Sequence, residues 1–151
     1  MILDVHRKKV RKYFLWEKYI REGIEEEKAR IKAMRDLRHS KTLLGYNDPT
    51  GELFVRRNTK LKKCRFTLPG GQVHWLKKPE DWIEIMEQVY EIYGTQPLTK
   101  VLRERAKNNK MSPVILANLK GMDRNSYYRM EKEFLDDAIF LAAERGLFKK
   151  N

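Results

Sequence analysis

Apolar side chains at Val10, Tyr13, Ile20, Ile24, Ile31 and Met34 follow steps of three and four, with Glu17 and Glu27 filling two gaps. That period predicts an amphipathic helix beginning near Val5, with Asp4 as its cap. Gly23 interrupts the stripe and marks a kink or a break. The stripe suits a helix packed within its own subunit, with one strand of a dimerising coiled coil as the alternative, since such seams need three or more clean heptads.

The pattern then changes. "LLGYNDPTGE" (residues 43–52) is turn chemistry and predicts a linker. "ELFVRR" and "CRFTLPGGQVHWL" read as short strands, and "PGG" between two runs of β-formers predicts a hairpin. From Pro79 a helical period returns. "PEDWIEIMEQVYEIYG" sets Trp82, Ile85, Met86, Val89, Ile92 and Tyr93 on one face, with Pro79, Glu80 and Asp81 at its start and Gly94 at its stop. "QPLTKVLRERAKNNK" points Leu98, Val101 and Leu102 inward, and "NNKM" loosens the chain. "SPVILANLKG" is a short helix with Ser112 as cap and Gly121 past its end, and a last helix starts after Asp123 and runs to Arg145, closed by Gly146. The expected fold is mainly α: a long N-terminal helix (1–45), a linker and basic hairpin (46–78), and a C-terminal helical helix-turn-helix domain (79–151).

Charge adds a partner class. The 151 residues carry a formal net charge of +12, with +6 in residues 1–45, +6 in 46–78, −1 in 79–111 and +1 in 112–151. Such an excess favours a polyanion, nucleic acid before an acidic membrane surface. It concentrates in "RRNTKLKKCR", where Arg56, Arg57, Lys60, Lys62, Lys63 and Arg65 are candidate phosphate contacts on a basic ribbon. The single cysteine, Cys64, forms no disulfide within the chain and has no zinc-ligand spacing around it, which suits a reducing cytoplasm. "MILDVHRKKV" turns charged too soon for a secretory leader, and no run approaches membrane-spanning length. His6, His39 and His74 are scattered, "LPGGQ" lacks the lysine and helix of a phosphate loop, and "EEE" at 25–27 reads as a solvated helix face. A protein without catalytic residues, metal or cofactor is expected.

The last helix carries the functional expectation although its half of the chain is nearly neutral. A short helix, a turn containing Gly121 and a cap at Asp123 have helix-turn-helix spacing. With Arg124 set at 0° on a helical wheel, Tyr128, Lys132, Asn125 and Arg129 fall at about 40°, 80°, 100° and 140°. Met130, Phe134, Tyr127 and Ala138 fall on the far side, at about 240° to 320°. The polar arc occupies the opening turns, the part of a recognition helix that enters the major groove. Arginine can pair with guanine and asparagine with adenine, each pair worth ~1–3 kcal/mol of discrimination. Beyond Phe134 the apolar surface widens to Leu135 and Ile139, which calls for cover by the N-terminal helix or by a second subunit.

The segment "ANLKGMDRNSYYRMEKEFLDDAIFLAAERGL" resembles the C-terminal part of phage late-gene transcriptional regulators of the ArpU and RinA type, including LtrC-like proteins, which is itself similar to region 4 of bacterial sigma factors. Gly121, Asp123, Ser126, Tyr127, Tyr128, Arg129, Ala142 or Ala143, Gly146 and Leu147 carry the pattern. The resemblance implies a promoter-binding activator of late phage genes in the bacterial cytoplasm, contacting double-stranded DNA and host RNA polymerase, with homodimerisation open. Arg124, Asn125, Ser126, Tyr128, Arg129 and Lys132 are the candidate DNA-binding residues. A small-terminase-like DNA-packaging protein that oligomerises is the alternative, and a protein-binding module whose charge serves solubility is a third.

Overall fold

A computed structural model describes residues 2–43, 60–107 and 112–148. Its elements are α1 (Ile2–Leu15), α2 (Glu17–Leu43), β1 (Lys63–Thr67), β2 (Val73–Lys77), α3 (Pro79–Tyr93), α4 (Pro97–Lys107), α5 (Pro113–Leu119) and α6 (Arg124–Glu144). The protein is mainly helical with one two-stranded antiparallel sheet in the middle, as the period of the sequence requires. The 43–52 linker and the "ELFVRR" strand fall almost wholly, and "NNKM" wholly, outside the described residues.

Contacts divide the chain into two compact units, Met1–Lys18 with Asp81–Asn151, and Tyr19–Glu80. This differs from the division the sequence suggested, which kept residues 1–45 together and apart from 79–151. In the first unit α1 packs on α4 and α6, and α5 packs on α4 and α6. Phe14 explains the placement of α1: it is buried, with ring centroids 5.4 Å from Tyr90 and 4.8 Å from Phe134. Phe134 also meets Tyr93 at 5.0 Å, so one aromatic cluster joins α1, α3 and α6. Leu135 and Ile139 are buried, and α1 packs on α6.

Three local expectations change. The helix begins at Ile2 with Asp4 inside its first turn, where Asp4 pairs with Arg7 at 2.8 Å. The break between helices falls at Trp16, whose N–H still reaches the Lys12 carbonyl at 2.9 Å. Gly23 lies inside α2 with no break at all. Ile92, expected inward on α3, is 64% exposed, because Trp82, Ile83, Ile85, Met86, Val89 and Tyr90 already fill the buried face.

The second unit contains α2 and the hairpin. A Cβ placed on Gly23 would lie 2.5 Å from the Arg65 carbonyl oxygen and 2.9 Å from Phe66 Cβ, so glycine is what lets α2 lie directly against β1. Cys64, Phe66 and Leu76 form the buried side of the hairpin. Lys63 pairs with Lys77, Arg65 with Trp75 and Thr67 with Val73. Pro69 and Gly70 make the turn, closed by the Gly71 N–H on the Leu68 carbonyl at 3.1 Å. Of the stripe proposed for a coiled coil, Val10, Ile20 and Ile24 are buried within the chain, whereas Met34 is exposed.

Candidate nucleic-acid interface

The turn between α5 and α6 is built from backbone bonds. The Met122 N–H reaches the Ala117 carbonyl at 2.8 Å and the Gly121 N–H reaches Asn118 at 3.1 Å. This double closure needs a left-handed residue at position 121, and Gly121 has φ +83°. Met122 is buried behind it. Asp123 then starts α6: its side chain accepts the Ser126 N–H at 3.1 Å. Bonds from the Ser126 side chain and N–H hold the Asp123 carboxyl below its ordinary pKa. Ser112, by contrast, precedes α5 without a side-chain cap bond.

The wheel separates the two adjacent tyrosines as expected. Tyr127 is fully buried and Tyr128 is 46% exposed. The Tyr127 hydroxyl donates to Glu131 Oε2 at 2.5 Å and accepts from Arg105 Nη1 at 2.8 Å. Glu131 also takes Arg11 Nη2 at 2.7 Å and Arg105 Nη1 at 3.2 Å. A buried carboxylate is tolerable only with such partners. Burial, with Glu131 beside it, pushes the Tyr127 phenol well above its usual range, so it stays protonated and keeps donating. This cluster pins the inner side of α6, one turn below its exposed start, to α1 and α4. Sequence reasoning missed it, since Glu131 is a charged residue on a helix of mixed charge. Its only signal is its wheel position, near 340° on a scale of about 100° per residue, at the edge of the apolar arc.

The outer side carries the candidate residues. Arg124, Asn125, Tyr128, Arg129 and Lys132 are all exposed along the first turns of α6. The Arg124 guanidinium lies 5.8 Å from the Tyr128 ring centroid. Ser126 is half-buried and committed to the cap, so it does not share their exposure. Met130 is only partly buried, and Glu133 adds an exposed acid beside the arc. The later acids are engaged: Asp136 accepts Arg7 Nε at 2.7 Å, and Asp137 accepts the Tyr93 hydroxyl at 2.6 Å.

The pairing of arginines distinguishes the opening turns of α6 from the rest of this unit. Arg7, Arg11, Arg105 and Arg145 each bond a carboxylate. Arg103 covers the Tyr90 ring at 4.2 Å. Among the described residues, Arg124 and Arg129 form no ion pair.

Of the hairpin candidates, Lys60, Lys62, Lys63 and Arg65 are exposed, and Arg56 and Arg57 lie outside the described residues. Cys64 faces the other way: burial, with Glu27 and Glu80 near, pushes its thiol up to about 11, which keeps it protonated and unreactive. Trp75, Lys77 and Lys78 are exposed too and were not among the expected site residues. The alternation of "VHWLK" carried that signal, since Val73, Trp75 and Lys77 share one side of a strand. No described helix is long and apolar enough to cross a membrane. No family model, curated protein or solved structure matches this chain.

Proposed function

We propose that this chain is a sequence-specific DNA-binding transcriptional activator that reads the major groove with the opening turns of α6. The observation that carries the reading is the pair of exposed arginines, Arg124 and Arg129, which form no ion pair among the described residues, in a unit whose Arg7, Arg11, Arg105 and Arg145 each bond a carboxylate. Asn125, Tyr128 and Lys132 share their side. A short helix, a tight turn and a capped second helix put this edge at a helix N-terminus, the end that also favours a phosphate. The resemblance to late-gene phage regulators supplies the biological setting: a late promoter as the DNA partner, and host RNA polymerase as a protein partner.

Selection of bound sequences from a random duplex pool gives the operator. On that operator Arg129→Ala and Arg124→Ala each weaken binding by about tenfold or more, with far smaller losses on random duplex. Equal losses on both duplexes reduce these side chains to phosphate contacts and overturn the sequence-reading role. Transcription from a promoter carrying the selected site rises on addition of the protein. Binding without stimulation, by a ring-shaped oligomer, identifies a packaging protein instead.

A further inference from the structure

The hairpin has an outer side that its folding does not explain. Cys64, Phe66 and Leu76 turn inward, and Lys63, Arg65, Thr67, Val73, Trp75 and Lys77 turn outward. Trp75 is 62% exposed. An indole left in water forgoes most of its burial energy, and tryptophan is among the side chains that gain most from being covered. Cations stand beside it. Arg65 is its direct partner across the strands, and Lys63 Nζ lies 5.0 Å from its ring centroid.

The charges are arranged against the hairpin's own stability. Lys63 and Lys77 stand directly opposite one another, where like charges repel. Lys62 and Lys78 extend the pair at the open end, joined by a backbone bond of 2.8 Å from the Lys78 N–H to the Lys62 carbonyl. No ion pair joins Lys62, Lys63, Arg65, Lys77 or Lys78 to a carboxylate among the described residues. Edge lysines that only discourage aggregation do not require an exposed indole in their midst. A polyanion relieves the repulsion, and a polyanion with aromatic bases also covers the indole.

We propose that this outer side binds a single strand of nucleic acid, with a base stacked on Trp75 and neighbouring phosphates held by Lys63, Arg65 and Lys77. An unpaired strand is the occupant because a flat, exposed indole can meet the face of a base only where bases are splayed from the stack; in a duplex those faces are covered. Aromatic platforms ringed by cations bind single strands in this way, at about 1–3 kcal/mol per stacked base, or roughly tenfold or more in affinity. This surface belongs to the second unit and the opening turns of α6 to the first, and either assignment can fail alone.

The test uses the full chain and a short fluorescein-labelled oligothymidylate, which has no secondary structure of its own. Trp75 is the exposed tryptophan of three, since Trp82 is buried and Trp16 half-buried. Stacking therefore quenches tryptophan emission as the oligonucleotide is added. Trp75→Ala weakens binding by about tenfold or more while Trp75→Phe keeps most of it. Lys63→Gln with Lys77→Gln lowers the slope of log affinity against log salt by about one to two. Unchanged thermal melting of Trp75→Ala establishes that folding is not the cause. Arg129→Ala binds the oligothymidylate as the unaltered chain does, even where it has lost the duplex operator. Single-strand binding by Trp75→Ala equal to that of the unaltered chain overturns the proposal. So does a duplex preference with unquenched emission, and so does an equal loss in Arg129→Ala.

Discussion

The two units handle charge in opposite ways. Met1–Lys18 with Asp81–Asn151 carries 18 basic and 13 acidic side chains, and most of its described arginines are bonded or stacked. Tyr19–Glu80 carries 15 basic and 8 acidic in fewer residues, and its hairpin presents cations on one side with no ion pair to a carboxylate among the described residues. The unit with the smaller relative excess thus holds the sharper candidate interface. Net charge indicates a class of partner, but the pairing of each side chain decides where that partner can sit. In the first unit Arg11 and Arg105 are structural, as counter-ions of buried Glu131, and Arg124 and Arg129, which form no ion pair among the described residues, lie at one helix start. In the second unit the excess is spread along a strand pair, which suits a grip on a backbone more than a reading of bases.

The sharpest way to break this contrast is to unpair the first unit. Glu131→Ala leaves Arg11 and Arg105 without their shared carboxylate and removes the acceptor of Tyr127. It lowers stability by about 3 kcal/mol, at the lower end of the range for a broken buried pair because Arg11 is partly solvated. Urea unfolding followed by circular dichroism measures it. Glu131→Gln, which keeps an acceptor without the charge, falls between. A negligible loss in both variants removes the distinction between structural and functional arginines.

In the second unit the corresponding test is steric. Gly23→Ala improves intrinsic helix propensity by about 1 kcal/mol, yet the added methyl meets the Arg65 carbonyl at 2.5 Å. Overpacking of this kind costs about 1–3 kcal/mol, so the net change is destabilising and modest. Faster amide exchange in the hairpin strands reports it. A gain in stability shows that α2 and β1 do not depend on their close approach.

The smallest effect is at the cap. Asp123→Ala removes the acceptor of the Ser126 N–H and loosens the start of α6, the part assigned to DNA. The Asp123 carboxyl has its folded pKa below its ordinary value of 3.8. Its contribution is therefore present above pH 3.8 and is lost as pH falls through the lowered value. The difference in unfolding midpoint between Asp123→Ala and the unaltered chain is present near neutral pH and vanishes below that window. A difference that persists in strong acid assigns the effect to something other than the ionised cap.

Much of this architecture is legible in single stretches of sequence because its signals are local. Pro79 and Gly94 bracket α3 as their backbone preferences require, "LPGGQ" turns the hairpin, and Gly121 with Asp123 ends one helix and opens the next. The wheel separates Tyr127 from Tyr128 for the same reason, since both belong to one helix whose period is set by its own backbone. Contacts between distant residues are not written locally. Arg11 and Glu131 are 120 positions apart, and neither residue's neighbourhood in sequence names the other. Gly23 resembles a helix break until a strand is found where its side chain would be. Ile92 belongs to an apolar stripe until six neighbours are seen to fill the buried face. Sequence by itself determined the hairpin, the helices from Pro79 on and which side of α6 turns outward, because backbone geometry and capping act within a few residues; it did not determine the start of α1 or the break at Trp16. Tertiary structure alone decided which charges are spent on folding and which remain free, because that depends on whether a partner arrives from elsewhere in the chain.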